Sequence, residues 1–403
     1  MLNQIYIVRR RLKKYKDIVL QFIINVISFS LLIVAQQVIA LPIISRYYDV
    51  ENFGKIVLAF GVSNIITSMV GFSVGSARLL DSNPYNYKYL KVFRKWVIIS
   101  IFASLSFYYF IFPGSLLDAL IFCLICILGS VRYFILSEYR VRDTHKWIFR
   151  QNLYYLLGIS IGFGIFYFER NWLIIFLVAE LVTVIICSIA FNKTSLFKMF
   201  NDNRNLNMTN VNHLIINNGA SYSLMYYDRF IIYPILGAAN VGVFYSAAVS
   251  SKIGGLIINP LSNFILGKLF LKGNSKNTVT VKYTIVGALA VILLYFTVGI
   301  ITTPFLVRIL YPDFFFFFNE IFVPICYSAA VMGGVNILKP IIMKNMGAKY
   351  FNKVFLLYGV SLVLISLLLC LKFSLIGVAF ANVICSTILF VLLLVVLRLK
   401  KGN

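Results

Sequence analysis

Among the charged side chains inside apolar runs are the bases Arg78, Arg132, Arg229, Lys252 and Lys339, and the acids Glu180 and Asp228. A charge held deep in hydrocarbon costs roughly 2.5 to 3.5 kcal/mol on insertion scales, so each marks a functional position by default. Bases outnumber acids, and a cavity lined by them suits an anion such as a phosphate or diphosphate group. The acids have two open roles. Glu180, on a face with Thr183 and Cys187, either takes up and releases a proton during turnover or neutralises one of the cations. Asp228 either couples an ion or locks a helix junction with Arg229.

Helical spacing gives these charges faces. Asn64, Thr67, Ser68, Gly71, Gly75 and Arg78 follow one another at i, i+3, i+4, i+7, i+11 and i+14, a polar and small face ending in a cation. Close packing through small residues, with Arg78 reaching for the interface, is the competing reading. His213, Asn217, Ser221 and Asp228 form a second face, from which Arg229 is displaced by ~100°. Lys252, Gly255, Asn259, Ser262 and Asn263 form a third, and Lys252 is its deepest cation. Arg132 and Lys339 are either substrate ligands or are spent on snorkelling or pairing with Glu138. Tyr226-Tyr227 offers a platform for sugar rings, while the run Phe314 to Phe318 reads as an interfacial anchor.

The elements that carry these residues must be membrane helices. The 403 residues are 61% hydrophobic and 12% charged, with mean hydropathy +0.90, too apolar for a water-soluble core of this size. Twelve helices of roughly 21 residues, each crossing ~30 Å of hydrocarbon, take most of the chain and leave only short connections. That excludes a soluble catalytic domain and a nucleotide-binding cassette. No Walker pattern, catalytic constellation or metal-ligand set is present. Cys123 and Cys126 form a C-x-x-C without a second ligand pair, so they read as packing.

Apolar runs place the twelve spans at about 18–46, 54–80, 95–112, 115–139, 151–168, 171–191, 212–236, 241–267, 283–305, 318–343, 351–371 and 373–397. Net charge is +24, and 27 of the 37 Lys and Arg fall on the side of the N-terminus against five on the other. By the positive-inside rule this places both termini in the cytoplasm, and it accounts for the basicity without nucleic acid. The expected organisation is a basic tail 1–17, a six-helix bundle 18–191, a cytoplasmic linker 192–211, a second six-helix bundle 212–397 and a tail 398–403. The bundles are pseudo-symmetric. Asn52-Phe53-Gly54 through Asn64 overlays Asn240-Val241-Gly242 through Lys252 at a constant offset, at the same place in each half. Six-helix repeats are parallel, with a substrate path between them and alternating access as the mechanism.

Asp228-Arg229-Phe230 through Leu236-Gly237-Ala238-Ala239-Asn240-Val241-Gly242-Val243-Phe244, running on to Asn259-Pro260-Leu261, resembles the seventh and eighth helices of Wzx-type polysaccharide flippases. These belong to the multidrug/oligosaccharidyl-lipid/polysaccharide exporter superfamily. Leu41-Pro42 through Arg46, Phe53-Gly54 and Gly71 to Arg78 resemble its opening helices, and Leu310-Tyr311-Pro312-Asp313-Phe314 and Ile376-Gly377-Val378-Ala379 its later landmarks. The resemblance implies a V-shaped, MATE-like bundle in the bacterial inner membrane. It would move an undecaprenyl-diphosphate-linked oligosaccharide to the outer leaflet for O-antigen or capsule-type polymer synthesis, alongside a polymerase and a chain-length regulator. No cofactor is implied beyond an H+ or Na+ gradient. An ion-coupled drug antiporter of the same superfamily would instead line its cavity with acids, and a membrane polymerase or glycosyltransferase would carry a large outer loop.

Overall fold

The computed structural model describes residues 26–28, 30–81, 84–142, 144–192, 208–256, 258, 262 and 281–399. The basic tail 1–17, most of the linker 192–211, Asn259, Asn263 and residues 400–403 lie outside the described residues.

Helices α1 (Val26–Ser45), α2 (Val50–Thr67, Ser68–Phe72 and Ser73–Leu80), α3 (Tyr87–Ile111), α4 (Leu116–Val141), α5 (His145–Glu169) and α6 (Trp172–Asn192) come first. Then come α7 (Met208–Met225 and Tyr227–Leu236), α8 (Ala238–Ala247, resuming over 249–256), α9 (Val281–Leu310) and α10 (Phe322–Met346). A last helical stretch, Ala348–Leu399, is two helices, α11 and α12, meeting at Ser374, whose φ of 55° is non-helical. Seven stretches among the described residues, one of them covering both α11 and α12, are long and apolar enough to cross a membrane.

The helices outrun the apolar runs at their basic ends. Lys88, Lys91, Arg94 and Lys95 lie within α3, Arg140 within α4, and Lys146 and Arg150 within α5, rather than in loops. Hydropathy falls where charge begins, but nothing there breaks a helix. Long basic side chains keep their stems on apolar surface and carry the charge to the interface.

The chain divides into two compact units, Met1–Ile44 with Ala59–Tyr226, and Ser45–Leu58 with Tyr227–Asn403. Neither is a continuous segment: α2 changes unit between Leu58 and Ala59, and α7 at its break, where Tyr226 separates its two pieces.

Small residues set the closest helix contacts. Gly158 and Gly162 form a G-x-x-x-G on α5 facing α6; a Cβ on them would come within 2.6 Å of the Ala179 Cα and 2.8 Å of the Ile175 Cα. Without a hydrophobic force between helices in lipid, this backbone approach is what holds such a pair together. In the second unit Gly54 abuts the Ala238 carbonyl and Gly242 abuts Phe314 and Phe53. The matched glycines of the repeat thus pack into one aromatic knot, where Phe53 lies 5.3 Å from Phe314 and 5.8 Å from Tyr311, ring to ring. The Phe run is therefore split. Phe314 and Phe318 are core, while Phe316 and Phe317 remain exposed, so interfacial anchoring describes only part of it. Gly254 and Gly333 flank the ring of Tyr295 on α9, which makes them contact points rather than hinges.

Replacing Gly158 by Leu forces α5 off α6 and costs about 1–3 kcal/mol, as overpacking does. Thermal unfolding in detergent should show a lowered midpoint for Gly158→Leu. Gly164→Leu, with no atom within 4 Å of its Cβ position, should leave the midpoint unchanged.

Candidate functional site

Two of the expected lumen cations are spent inside the first unit. Arg78 is wholly buried and every guanidinium nitrogen has a partner: Nη2 donates to Glu138 Oε2, Nη1 to Ser137 Oγ at 3.1 Å and Nε to the Pro84 carbonyl at 2.9 Å. Glu138 also accepts from Arg142 Nε at 2.8 Å and from the Tyr85 hydroxyl at 3.0 Å. Burial, then the Glu138 carboxylate, push the Tyr85 phenol above its ordinary value and keep it a donor. Gly75, which sits against the Ser137 side chain, lets α2 come close enough to α4 for this bond. Arg78 locks the ends of α2 and α4 together. Removing one partner of such a buried pair would leave an uncompensated charge.

Arg132 on α4 does not pair with Glu138, which Arg78 occupies. It meets Glu180 on α6 in a two-pronged bond, Nε to Oε2 at 2.8 Å and Nη2 to Oε1 at 3.1 Å, with both residues under 5% exposed. Paired planar groups of this kind are the strong form of an ion pair. The rings of Tyr133 and Tyr155 lie 4.6 and 4.8 Å from the guanidinium carbon. Gln36, in a π-helical stretch of α1 over Val34–Ala40, donates to the Tyr155 hydroxyl at 2.9 Å. The pair lines a small pocket together with Gln36, Ser63, Asn64, Thr67 and aromatic rings of α2, α4, α5 and α6. Of the two roles open to Glu180, the geometry supplies the neutralising one. Arg132 enters the site as half of a neutral pair rather than as a free cation.

The second unit holds the other charges. Arg229, 3% exposed, donates from Nη1 to the Val57 carbonyl, pinning the second piece of α7 to α2. Among the described residues no ion pair joins it to Asp228. Neighbouring residues on a helix project ~100° apart, and Arg229 turns toward α2. Arg229 also lies 5.2 Å from the centre of the Tyr245 ring. Lys252 sits 3.1 Å from the centre of the same ring. α8 is interrupted at Ala248, between Tyr245 and Lys252, and the ammonium comes back over the Tyr245 ring. Gly237, at φ 85°, makes the tight turn between α7 and α8 that brings these faces together. Asp228 and Lys252 are both half-buried, and the charges of Arg229 and Asp228 reach Lys252. No carboxylate among the described residues lies within 4.0 Å of the Lys252 ammonium. Lys339 is separate, half-buried on α10, with its ammonium 5.5 Å from the Phe351 ring.

The structure thus gathers Asp228, Arg229 and Lys252 into one cluster, pairs Arg132 with Glu180 in another, and leaves Arg78 and Lys339 outside both. Of the polar face on α7, His213, Asn217 and Ser221 stay exposed. Tyr227 is buried and accepts a hydrogen bond from Ser366 at 3.4 Å, so it is structural and unavailable to a sugar. Sequence reasoning missed Gln36 and Tyr155, whose only visible signal was a polar interruption of α1 and one tyrosine among many. It also missed Arg140, which hydropathy assigned to a loop.

Breaking the Arg132–Glu180 pair from one side should destabilise by about 3–5 kcal/mol, and removing both charges together should recover much of that loss. Unfolding of Arg132→Leu, Glu180→Leu and the double variant in detergent measures this. Additive losses in the double variant would show that the two groups do not depend on each other.

No family model matches the chain, and no curated protein sequence matches it. Solved structures do. An inward-facing multidrug resistance MATE family transporter of the MOP superfamily aligns with a TM-score of 0.67 at 12% identity, over 93% of this chain and 99% of that one. An outward-facing MATE family transporter gives 0.62 at 11%, over 95% and 96%. The lipid II flippase MurJ in an inward closed conformation gives 0.58 at 14%, over 94% and 86%. At these identities the likeness establishes architecture: the chain is a multi-pass, all-helical membrane protein with the fold shared by MATE transporters and MurJ.

Proposed function

We propose that this protein is a flippase of the Wzx type. It carries undecaprenyl-diphosphate-linked oligosaccharide units from the cytoplasmic to the outer leaflet of a bacterial inner membrane, with both termini cytoplasmic. The observation that carries this reading is Lys252, a half-buried ammonium on an apolar helix that lies over Tyr245 with no carboxylate among the described residues paired to it. An ammonium there is stabilised by the ring quadrupole and completed by an anion, and the diphosphate head group of a lipid-linked sugar supplies one. Arg229 fixes the ring from its other contact, and Asp228 bounds the site so that the anion is held without being trapped. A cavity for cationic drugs would need the reverse balance of charge.

In this mechanism the neutral Arg132–Glu180 cavity contributes polarity without net attraction. Glu180 then remains a candidate for coupling to H+ or Na+, since separating it from Arg132 would free a carboxylate. Lys339 lies on α10 where a second contact to the cargo can form. The polymerase and chain-length regulator are the partners this role requires downstream.

A second reading, ion-coupled drug antiport, draws on the likeness to MATE transporters. One experiment separates the two: deletion in the native host with analysis of surface polysaccharide and extracted polyprenyl lipids. Single repeat units accumulating on the carrier inside the cell, with loss of surface polymer, are the expected result. Normal polymer with altered drug tolerance would move the case to the antiporter, and unpolymerised units at the surface would mark a polymerase. Complementation then tests the site. Lys252→Ala should insert normally and restore no polymer, and full export by that variant would remove Lys252 from the mechanism. Arg229→Lys should fail in part through lost anchoring to Val57, because a point charge cannot reproduce the guanidinium fork.

A further inference from the structure

Arg140 lies in the last turn of α4, where an arginine would ordinarily reach outward to the interface. Here it reaches inward. Its guanidinium carbon is 5.3 Å from the centre of the Phe72 ring, and Tyr133 and Tyr222 are close enough to act on its charge. Tyr133 stands seven residues earlier on the same helix, and so on the same face, with the Arg140 side chain leaning back toward it. The three rings are mutually braced: Phe72 meets Tyr133 edge-on at 6.3 Å and Tyr222 edge-on at 6.3 Å.

The surrounding backbone is built for this arrangement. Phe72 closes the π-helical stretch Ser68–Phe72 of α2. Such stretches are rare and concentrate at functional sites, because the extra residue turns the following side chains to a new face. The same stretch holds the third ring, since the Tyr222 hydroxyl is in hydrogen-bond reach of Ser68. Gly71, packed against the Ser130 backbone, brings α2 onto α4 at this level. Ser73 accepts from Asn218 at 3.0 Å, and Gly219 packs on Met69, so α7 is held to the same part of α2. Arg140, Phe72, Tyr133 and Tyr222 are all half-buried. They form a fixed, partly open box of three rings and one guanidinium, entirely within the first unit.

We propose that this box is a binding subsite for an acidic sugar, a pyranose bearing a carboxylate. The guanidinium takes the carboxylate through two parallel hydrogen bonds, and the rings take the apolar C–H face of the pyranose by stacking. Neither part suffices alone. The Phe72 ring holds the guanidinium by cation–π attraction, which keeps the side chain turned inward. The subsite rests on the flippase reading for its physiological cargo, where it would engage the glycan while Lys252 engages the diphosphate. Sugar binding itself can be measured without transport.

The test is saturation-transfer NMR on the full chain in nanodiscs, with glucuronic acid as the probe, glucose as the neutral control and inorganic phosphate as competitor. Wild-type protein should transfer saturation to the ring protons of glucuronic acid about tenfold more than to those of glucose, in line with a charge-assisted bond. Arg140→Gln should abolish that preference. Tyr222→Leu should reduce transfer to both sugars, and Arg140→Lys should retain part of the preference. Equal transfer from the two sugars, an undiminished signal in Arg140→Gln, or complete displacement by phosphate at concentrations equal to the sugar would each overturn the proposal. Unchanged thermal unfolding of Arg140→Gln separates loss of the subsite from loss of the fold. If sugar binding holds while the deletion strain exports normal polymer, the flippase reading fails and the subsite does not.

Discussion

A guanidinium in hydrocarbon must be given a counter-charge or a polar cradle, and the first unit is arranged around meeting that demand twice. Arg78 and Glu138 close the ends of α2 and α4, and Arg132 and Glu180 join the middle of α4 to α6. The Arg132–Glu180 pair fixes a rotation as well as a distance, because a two-pronged arginine contact tolerates little twist. Once α4 is oriented by both, Tyr133 and Arg140 are carried to one face by helical periodicity alone, and the cavity beside Arg132 opens toward Gln36 and Tyr155. Apolar packing in lipid is weakly directional. The polar pairs, with the small residues that permit close approach, are what give this unit a single arrangement.

Small residues act as the permissive half of the same logic. The α2 face that reads as polar and small in the sequence serves close packing. Gly71 and Gly75 bring α2 against α4, and that approach is what lets Arg78 reach Glu138 and Ser137. The second unit uses glycine differently. Gly54 and Gly242, matched positions of the internal repeat, admit Ala238 and the rings of Phe53 and Phe314. The charges that follow each glycine landmark, Arg78 on one side and Lys252 on the other, end in opposite situations.

Membrane character and helix number were legible because hydropathy depends only on composition along the chain. The faces of α2, α7 and α8 were legible because periodicity is a property of one helix. Partners were not. Periodicity says where Glu138 and Glu180 point but not which helix stands opposite, so Arg132 was offered to Glu138 when Glu180 holds it. Adjacent residues on a helix diverge by ~100°, which made a direct Asp228–Arg229 lock unfavourable from the outset. Only the packing revealed that Arg229 instead reaches the Val57 carbonyl. The two π-helical stretches were invisible for a related reason: an extra residue per turn leaves no signature in composition, yet it re-aims Gln36 and Phe72. Arg140 was lost to the assumption that helices end where hydropathy does.

The contrast between the units bears on how a charged cargo can be both held and released. A binding cation fully neutralised by a carboxylate offers a diphosphate nothing until the pair is broken, and a bare buried ammonium would hold it too well. Lys252 occupies the middle ground. An aromatic face stabilises an ammonium by roughly 0.5–2 kcal/mol, far less than a buried carboxylate would. The ring thus keeps the side chain placed between cargoes, and an arriving phosphate oxygen can compete for the charge at modest cost. Asp228, near enough to act on the same charge, limits the affinity from the other side. On the proposed flippase reading, a site tuned this way would bind an anionic head group loosely enough that a change in its surroundings, rather than a chemical step, is sufficient to let it go.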